Sequence, residues 1–199
     1  MMMTVLSIIL WLISNFLPSS EQREIWVIQK NSHMVVSGKT NINSFDCTIE
    51  NYGKTDTLSW TTAKEKSTKS APKIVGRLTI PVLKFDCGHK MMTKDLQKTL
   101  KAPQYPVMTV DFLSFSKSLS KVKPEELLTG QAEIKLAGMT KKYAISYVFK
   151  KNKNGFFELA GFQNILFSDF NLTPPSKLGG AIRVDNELEV TFNLILQKI

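Results

Sequence analysis

Beyond residue 24 the apolar positions recur with period two far more often than with the helical period of 3.6. The last segment is the clearest case: Leu188, Val190, Phe192, Leu194 and Leu196 alternate with Glu187, Glu189, Thr191, Asn193 and Gln197. Successive side chains of a strand point to opposite faces, so this run predicts one long strand over 183–198 with a dry face and a wet face. Ala132, Ile134 and Leu136 alternate with Gln131, Glu133 and Lys135, and Tyr143, Ile145, Tyr147 and Phe149 alternate with Lys142, Ser146 and Lys150. These two runs flank Gly138-Met139-Thr140 and predict a hairpin. Further strands are predicted over 24–29, 34–40, 45–50, 58–64, 74–85, 107–115 and 156–167.

One segment departs from the alternation. Between 88 and 102, Met91, Met92, Leu96 and Leu100 fall at helical spacing among good helix formers, with Pro103 and Pro106 as stops. A helical turn or a loop is expected over 124–128. The polar, basic stretch 64–73 reads as an exposed hairpin loop. Many antiparallel strands with one interrupting helix predict an all-β fold, a closed up-and-down antiparallel barrel of about eight long strands with the helix at its mouth. Closure leaves no long edge exposed, and long strands leave room inside for a ligand.

The inward phase of the strands nominates lumen residues: Leu78, Ile80 and Val82; Met108, Val110 and Phe112; Ile145, Tyr147 and Phe149; and Val190, Phe192 and Leu194. Met91, Met92, Leu96 and Leu100 are candidates for a helical lid. For each residue the competing role is ordinary packed core.

Composition fits one domain: the 199 residues are 43% hydrophobic and 22% charged, enough apolar surface for a core. Residues 5–17 form an apolar run too short to span a bilayer comfortably, followed by Pro18-Ser19-Ser20 and then polar residues. Residues 1–20 are therefore expected to be a signal peptide, and 21–199 a single exported domain, periplasmic or secreted, with an uncleaved anchor or a buried first helix as the other reading of the apolar run. Lys plus Arg number 26 against 17 Asp plus Glu, and none of these charges lies in the first twenty residues, so the mature surface is basic.

Export changes how the cysteines read. Cys47 and Cys87 are the chain's two cysteines, and in an oxidising compartment they are expected to pair, closing a loop worth about 4 kcal/mol in the chain-entropy model. The alternative is a metal or redox site from Cys47, Cys87 and His89, but the chain has no Cys-x-x-Cys and too few Cys and His for a Cys-rich zinc module. No metal and no cofactor are expected.

Several stretches are similar to those of a known family. Residues 103–110, Pro-Gln-Tyr-Pro-Val-Met-Thr-Val, resemble a "YP-x-I-x-F" step from helix to strand. Residues 127–142 resemble a "V-x-G-x-L-x-I-x-G-x-T-K" hairpin, and Ser168-Asp169-Phe170 an "R-x-D-F" element, with Val110 and Ser168 departing from the pattern. In this order they resemble the YceI-like family of exported lipid-binding proteins, an extended lipocalin-like barrel. The resemblance implies that a long-chain amphiphile, polyisoprenoid or fatty acyl in type, occupies the lumen.

Catalysis finds little support in the residues. His33 and His89 sit in turn-like polar contexts without a Gly-x-Ser-x-Gly motif, Asp46 and Asp86 read as turn or edge residues, and Gly179-Gly180 reads as a turn. The basic runs 64–73 and 150–153 lack interleaved aromatics, which argues against nucleic acid; at a barrel mouth they would favour transient approach to an anionic membrane surface. Three classes stay open: an exported lipid carrier, an exported interaction barrel with a packed core, and a small barrel enzyme acting on a lipid.

Overall fold

The computed structural model describes residues 22–62, 74–152 and 154–199. The expected signal peptide and the 64–73 loop lie outside the described residues. Among those described, the strands are β1 (Gln22–Ile28), β2 (His33–Thr40), β3 (Ser44–Ile49), β4 (Asp56–Thr62), β5 (Ile74–Pro81), β6 (Val107–Phe115), β7 (Glu126–Leu136), β8 (Met139–Lys151), β9 (Phe157–Leu166), β10 (Ser176–Lys177) and β11 (Ile182–Lys198). One α-helix, α1 (Lys90–Thr99), lies between β5 and β6.

Every pairing between these strands is antiparallel, and the order β1-β4-β5-β6-β7-β8-β9-β11 closes on itself because β11 also pairs with β1. The result is an eight-stranded barrel. The β2–β3 hairpin continues two of its staves. β1 and β2 lie end to end on one edge of β11, with Trp26 opposite Lys198 and His33 opposite Asn193, and β3 and β4 continue each other along β2 and β1. The irregularity between β1 and β2 is stitched by buried Ser32. Its hydroxyl donates to the Gln29 carbonyl at 2.7 Å and accepts from the Ile195 N–H at 3.0 Å, so a side chain supplies the missing ladder bonds.

Two sequence expectations change. The 74–85 run ends as a strand at Pro81, where Val82–Lys84 turn in a 3-10 helix. The region 124–128 is neither helix nor loop throughout, because β7 begins at Glu126; pairing along the length of β8, from Leu136–Met139 to Glu126–Phe149, outweighs local helical preference.

The barrel has two unlike ends. Toward the end where β1 begins and β11 finishes, Trp26 stacks on Trp60 with ring centroids 6.1 Å apart. Phe149 and Phe157 pack edge-on against Trp26, and Phe115 meets Tyr147 at 5.2 Å. Below these rings Trp60 Nε1 donates to Ser118 Oγ at 3.1 Å, and Ser118 and Ser120 both donate to the Glu24 carboxylate. Large aromatic side chains fill this half of the lumen with specific ring contacts.

Candidate functional site: an apolar cavity beneath the helix

The other end carries the helix. α1 starts after the Asp86–Gly88 turn, where Asp86 accepts from the Gly88 N–H at 2.9 Å and from the Thr93 hydroxyl at 3.2 Å. It stops at Lys101, whose φ of 54° takes the left-handed conformation that ends helices, and Ala102 N–H closes back on the Gln97 carbonyl. Leu96 and Leu100 lie on one face of α1 and are buried, each worth about 1.5–3 kcal/mol by transfer. The Cys47–Cys87 disulfide anchors the start of this segment to β3, across a separation of 40 residues. Gln97 Nε2 donates to the Leu83 carbonyl at 3.3 Å, and Lys177 pairs with Asp95 at 2.8 Å, tying the helix to the β10 turn.

Beneath Leu96 and Leu100 lies a cavity of about 80 Å³ in the upper half of the barrel. Its wall is apolar apart from Gln163. Of the residues nominated from the strand phase, Leu78, Met108, Val110, Phe112, Ile145, Val190 and Phe192 line it. Ile80 and Leu194 instead border a smaller void of about 20 Å³ beside Tyr52 and Ser32. Val82, Tyr147 and Phe149 are buried in the packed interior and do not reach the cavity. Val82 has left the strand for the 3-10 turn, and Tyr147 and Phe149 belong to the filled aromatic half. Burial alone raises the Tyr147 pKa, holding that hydroxyl neutral within the plug.

The lid is half of what the spacing suggested. Leu96 and Leu100 face the cavity, whereas Met91 is 60% exposed and Met92 is half-buried outside the lining. Sequence reasoning also missed wall residues. Met34, Val36, Ile134, Leu136 and Leu188 stand on the dry phase of their strands, so alternation carried their signal. Gln163 and Phe85 gave none, since a polar side chain at an inward register and an apolar one in a connector break the pattern.

The motif stretches meet at this end. Tyr105 lies against the Gly138 backbone of the β7–β8 turn, where a β-carbon would stand 2.8 Å from the phenol oxygen. Asp169, in the 3-10 turn Phe167–Phe170, accepts from the Tyr143 hydroxyl at 2.9 Å, while Phe170 is buried. His33 and His89 are exposed, and Asp46 accepts from Ser37 at 2.6 Å on the outer face. Lys150 and Lys151 lie at the aromatic end, away from the cavity, with Lys150 3.8 Å from Glu125. Lys150 and Lys151 are therefore not at the mouth beneath the helix, and Lys153 lies outside the described residues.

A closed antiparallel eight-stranded barrel with an apolar lumen under a helix defines the class: a lipocalin-like, YceI-like fold. No protein-family model matches the chain, and no curated protein sequence matches it. Solved structures do. A polyisoprenoid binding domain from Saccharophagus degradans, implicated in plant cell wall breakdown, aligns with a TM-score of 0.62 at 12% identity over 86% of this chain and 97% of that one. BcnA from Burkholderia cenocepacia aligns with a TM-score of 0.55 at 14% identity over 88% of this chain and 99% of that one. At such identities the likeness is one of fold.

Proposed function

We propose that this protein is an exported carrier that holds the apolar tail of a long-chain amphiphile, polyisoprenoid or fatty acyl in type, in the upper lumen beneath α1. The observation that carries this reading is the apolar cavity closed by Leu96 and Leu100. Burial of each methylene contributes about 0.8 kcal/mol, so a tail can be held without a charged anchor. The shared fold of a polyisoprenoid binding domain supports the same ligand class. The Cys47–Cys87 disulfide and the apolar run over 5–17 support export.

The cavity limits how a tail enters. About 80 Å³ is well below the roughly 300–1,000 Å³ of ordinary ligand pockets, so a whole long chain fits only if wall side chains turn aside. Met34 and Met108, with flexible thioether chains, and the rings of Phe112 and Phe192 are the residues positioned to do so. The test is organic extraction and mass spectrometry of the purified protein, with native mass spectrometry for stoichiometry. One bound chain per protein is expected. A protein that is empty, and that takes up neither a long-chain fatty acid nor a polyprenyl phosphate added to it, overturns the reading in favour of a packed interaction barrel.

A further inference from the structure

The face of α1 turned away from the cavity is basic. Lys90, Lys94 and Lys98 are exposed and at about 100° per residue fall on one stripe opposite Leu96, and exposed Lys101 follows where the helix ends. None of the four has an acidic partner among the described residues, and the one carboxylate of the helix, Asp95, is taken by Lys177. Exposed apolar side chains lie at the same end of the barrel. Met91 is on the helix itself, and Leu83 sits in the turn bound by Gln97. Leu178, 79% exposed with a φ of 53°, follows the residue bound to Asp95, and Ile42 adjoins Asn41, which donates to the Ala181 carbonyl at 2.8 Å. A left-handed leucine held almost fully in water is costly on both counts, in backbone conformation and in hydration.

We propose that the helix-capped end of the barrel docks on an anionic lipid bilayer, with the α1 lysines against the headgroups and Met91 and Leu178 dipping among the acyl chains. The unpaired positive stripe selects an anionic partner, and the scattered apolar tips suit a fluid apolar layer better than one shaped protein pocket. Docking this end brings the membrane to the one side of α1 opposite the cavity, so a tail has only the helix to pass. The inference rests on the carrier reading of the lumen and adds where the tail is exchanged.

An environment-sensitive fluorophore on Leu178→Cys, with the native disulfide intact, tests the orientation in the full chain, and the same label on Val75→Cys in β5 serves as the control. Vesicles of phosphatidylcholine mixed with phosphatidylglycerol should blue-shift the label at 178 and leave that at 75 unchanged. The response should fade with added salt and on pure phosphatidylcholine. Each lysine near an anionic surface contributes about a five-fold factor, so Lys90→Gln, Lys94→Gln and Lys98→Gln together should weaken the response about a hundred-fold. A label at 178 that stays in water on anionic vesicles, or a triple variant that binds like the parent, overturns the proposal. Uptake of a fluorescent fatty acid in vesicle-free buffer is measured in parallel. Its retention in the triple variant supports a docking role separate from the lumen, whereas docking without uptake by the parent sinks the carrier reading alone.

Discussion

The ring of Phe192 lies across Gly161, its register partner on the neighbouring strand: a β-carbon at Gly161 would stand 2.0 Å from Phe192 Cζ. Because Phe192 also lines the cavity, the size of residue 161 controls how far that ring intrudes. Gly161→Ala should push the ring inward, destabilise the fold by about 1–3 kcal/mol and weaken tail uptake. Adding Phe192→Leu should restore both. Urea titration and fatty-acid displacement check this, and unchanged uptake in the single variant would show that the ring does not gate the lumen.

Filling the cavity should separate binding from stability. Val110→Phe places a ring in existing space, so the fold should hold while the tail loses room for about two methylenes, or about ten-fold in affinity. Val75→Phe on the exposed outer face of β5 should change neither.

Ser118 links the buried indole of Trp60 to the half-buried carboxylate of Glu24, accepting from Trp60 Nε1 and donating to Glu24. Ser118→Ala leaves the indole N–H unpaired inside the plug and should cost about 1–3 kcal/mol in a denaturant melt. Since neither Ser118 nor Trp60 lines the cavity, tail affinity measured below the transition should stay at the parent value.

Acid should loosen the same end. Burial pushes the Glu24 carboxyl upward, but hydrogen bonds from Ser120 and Ser118 and the nearby Lys198 outweigh it and hold the pKa below its ordinary value of 4.5. A carboxylate depressed on folding contributes stability that is present above its unfolded pKa and lost as pH falls through the folded one. Between pH 7 and pH 3 the parent should therefore lose more stability than Glu24→Gln, read from urea midpoints at each pH.

Removing the disulfide with Cys47→Ala and Cys87→Ala should lower stability by about 4 kcal/mol, since it closes a separation of 40 residues. Limited proteolysis should then cut first near Gly88, where the bridge holds the entry to α1. A variant as stable as the parent would show that the β3 contacts suffice.

Alternation of apolar and polar residues placed most strands of the barrel, but not the start of β7 at Glu126 or the short β10. A side chain every second residue must face either water or core, and β6, from Val107 to Phe115, falls where the pattern put it. Helical spacing located α1 for the same reason, because Leu96 and Leu100 needed a common dry face. The inward phase was therefore readable from the chain. Depth was not: Phe149 and Val110 carry the same local signal, yet one packs into the aromatic plug and the other walls the cavity.

What separates those two residues is the register of closure, set by how far along β11 the β1 and β2 segments attach, and by which rings happen to meet across the lumen. The same long-range geometry put Lys150 at the plugged end and the α1 lysines over the cavity. Periodicity encodes which face of an element is dry, since that is a property of neighbours along the chain. Where empty space remains is a property of volumes brought together from eight strands, and only the folded barrel decides it.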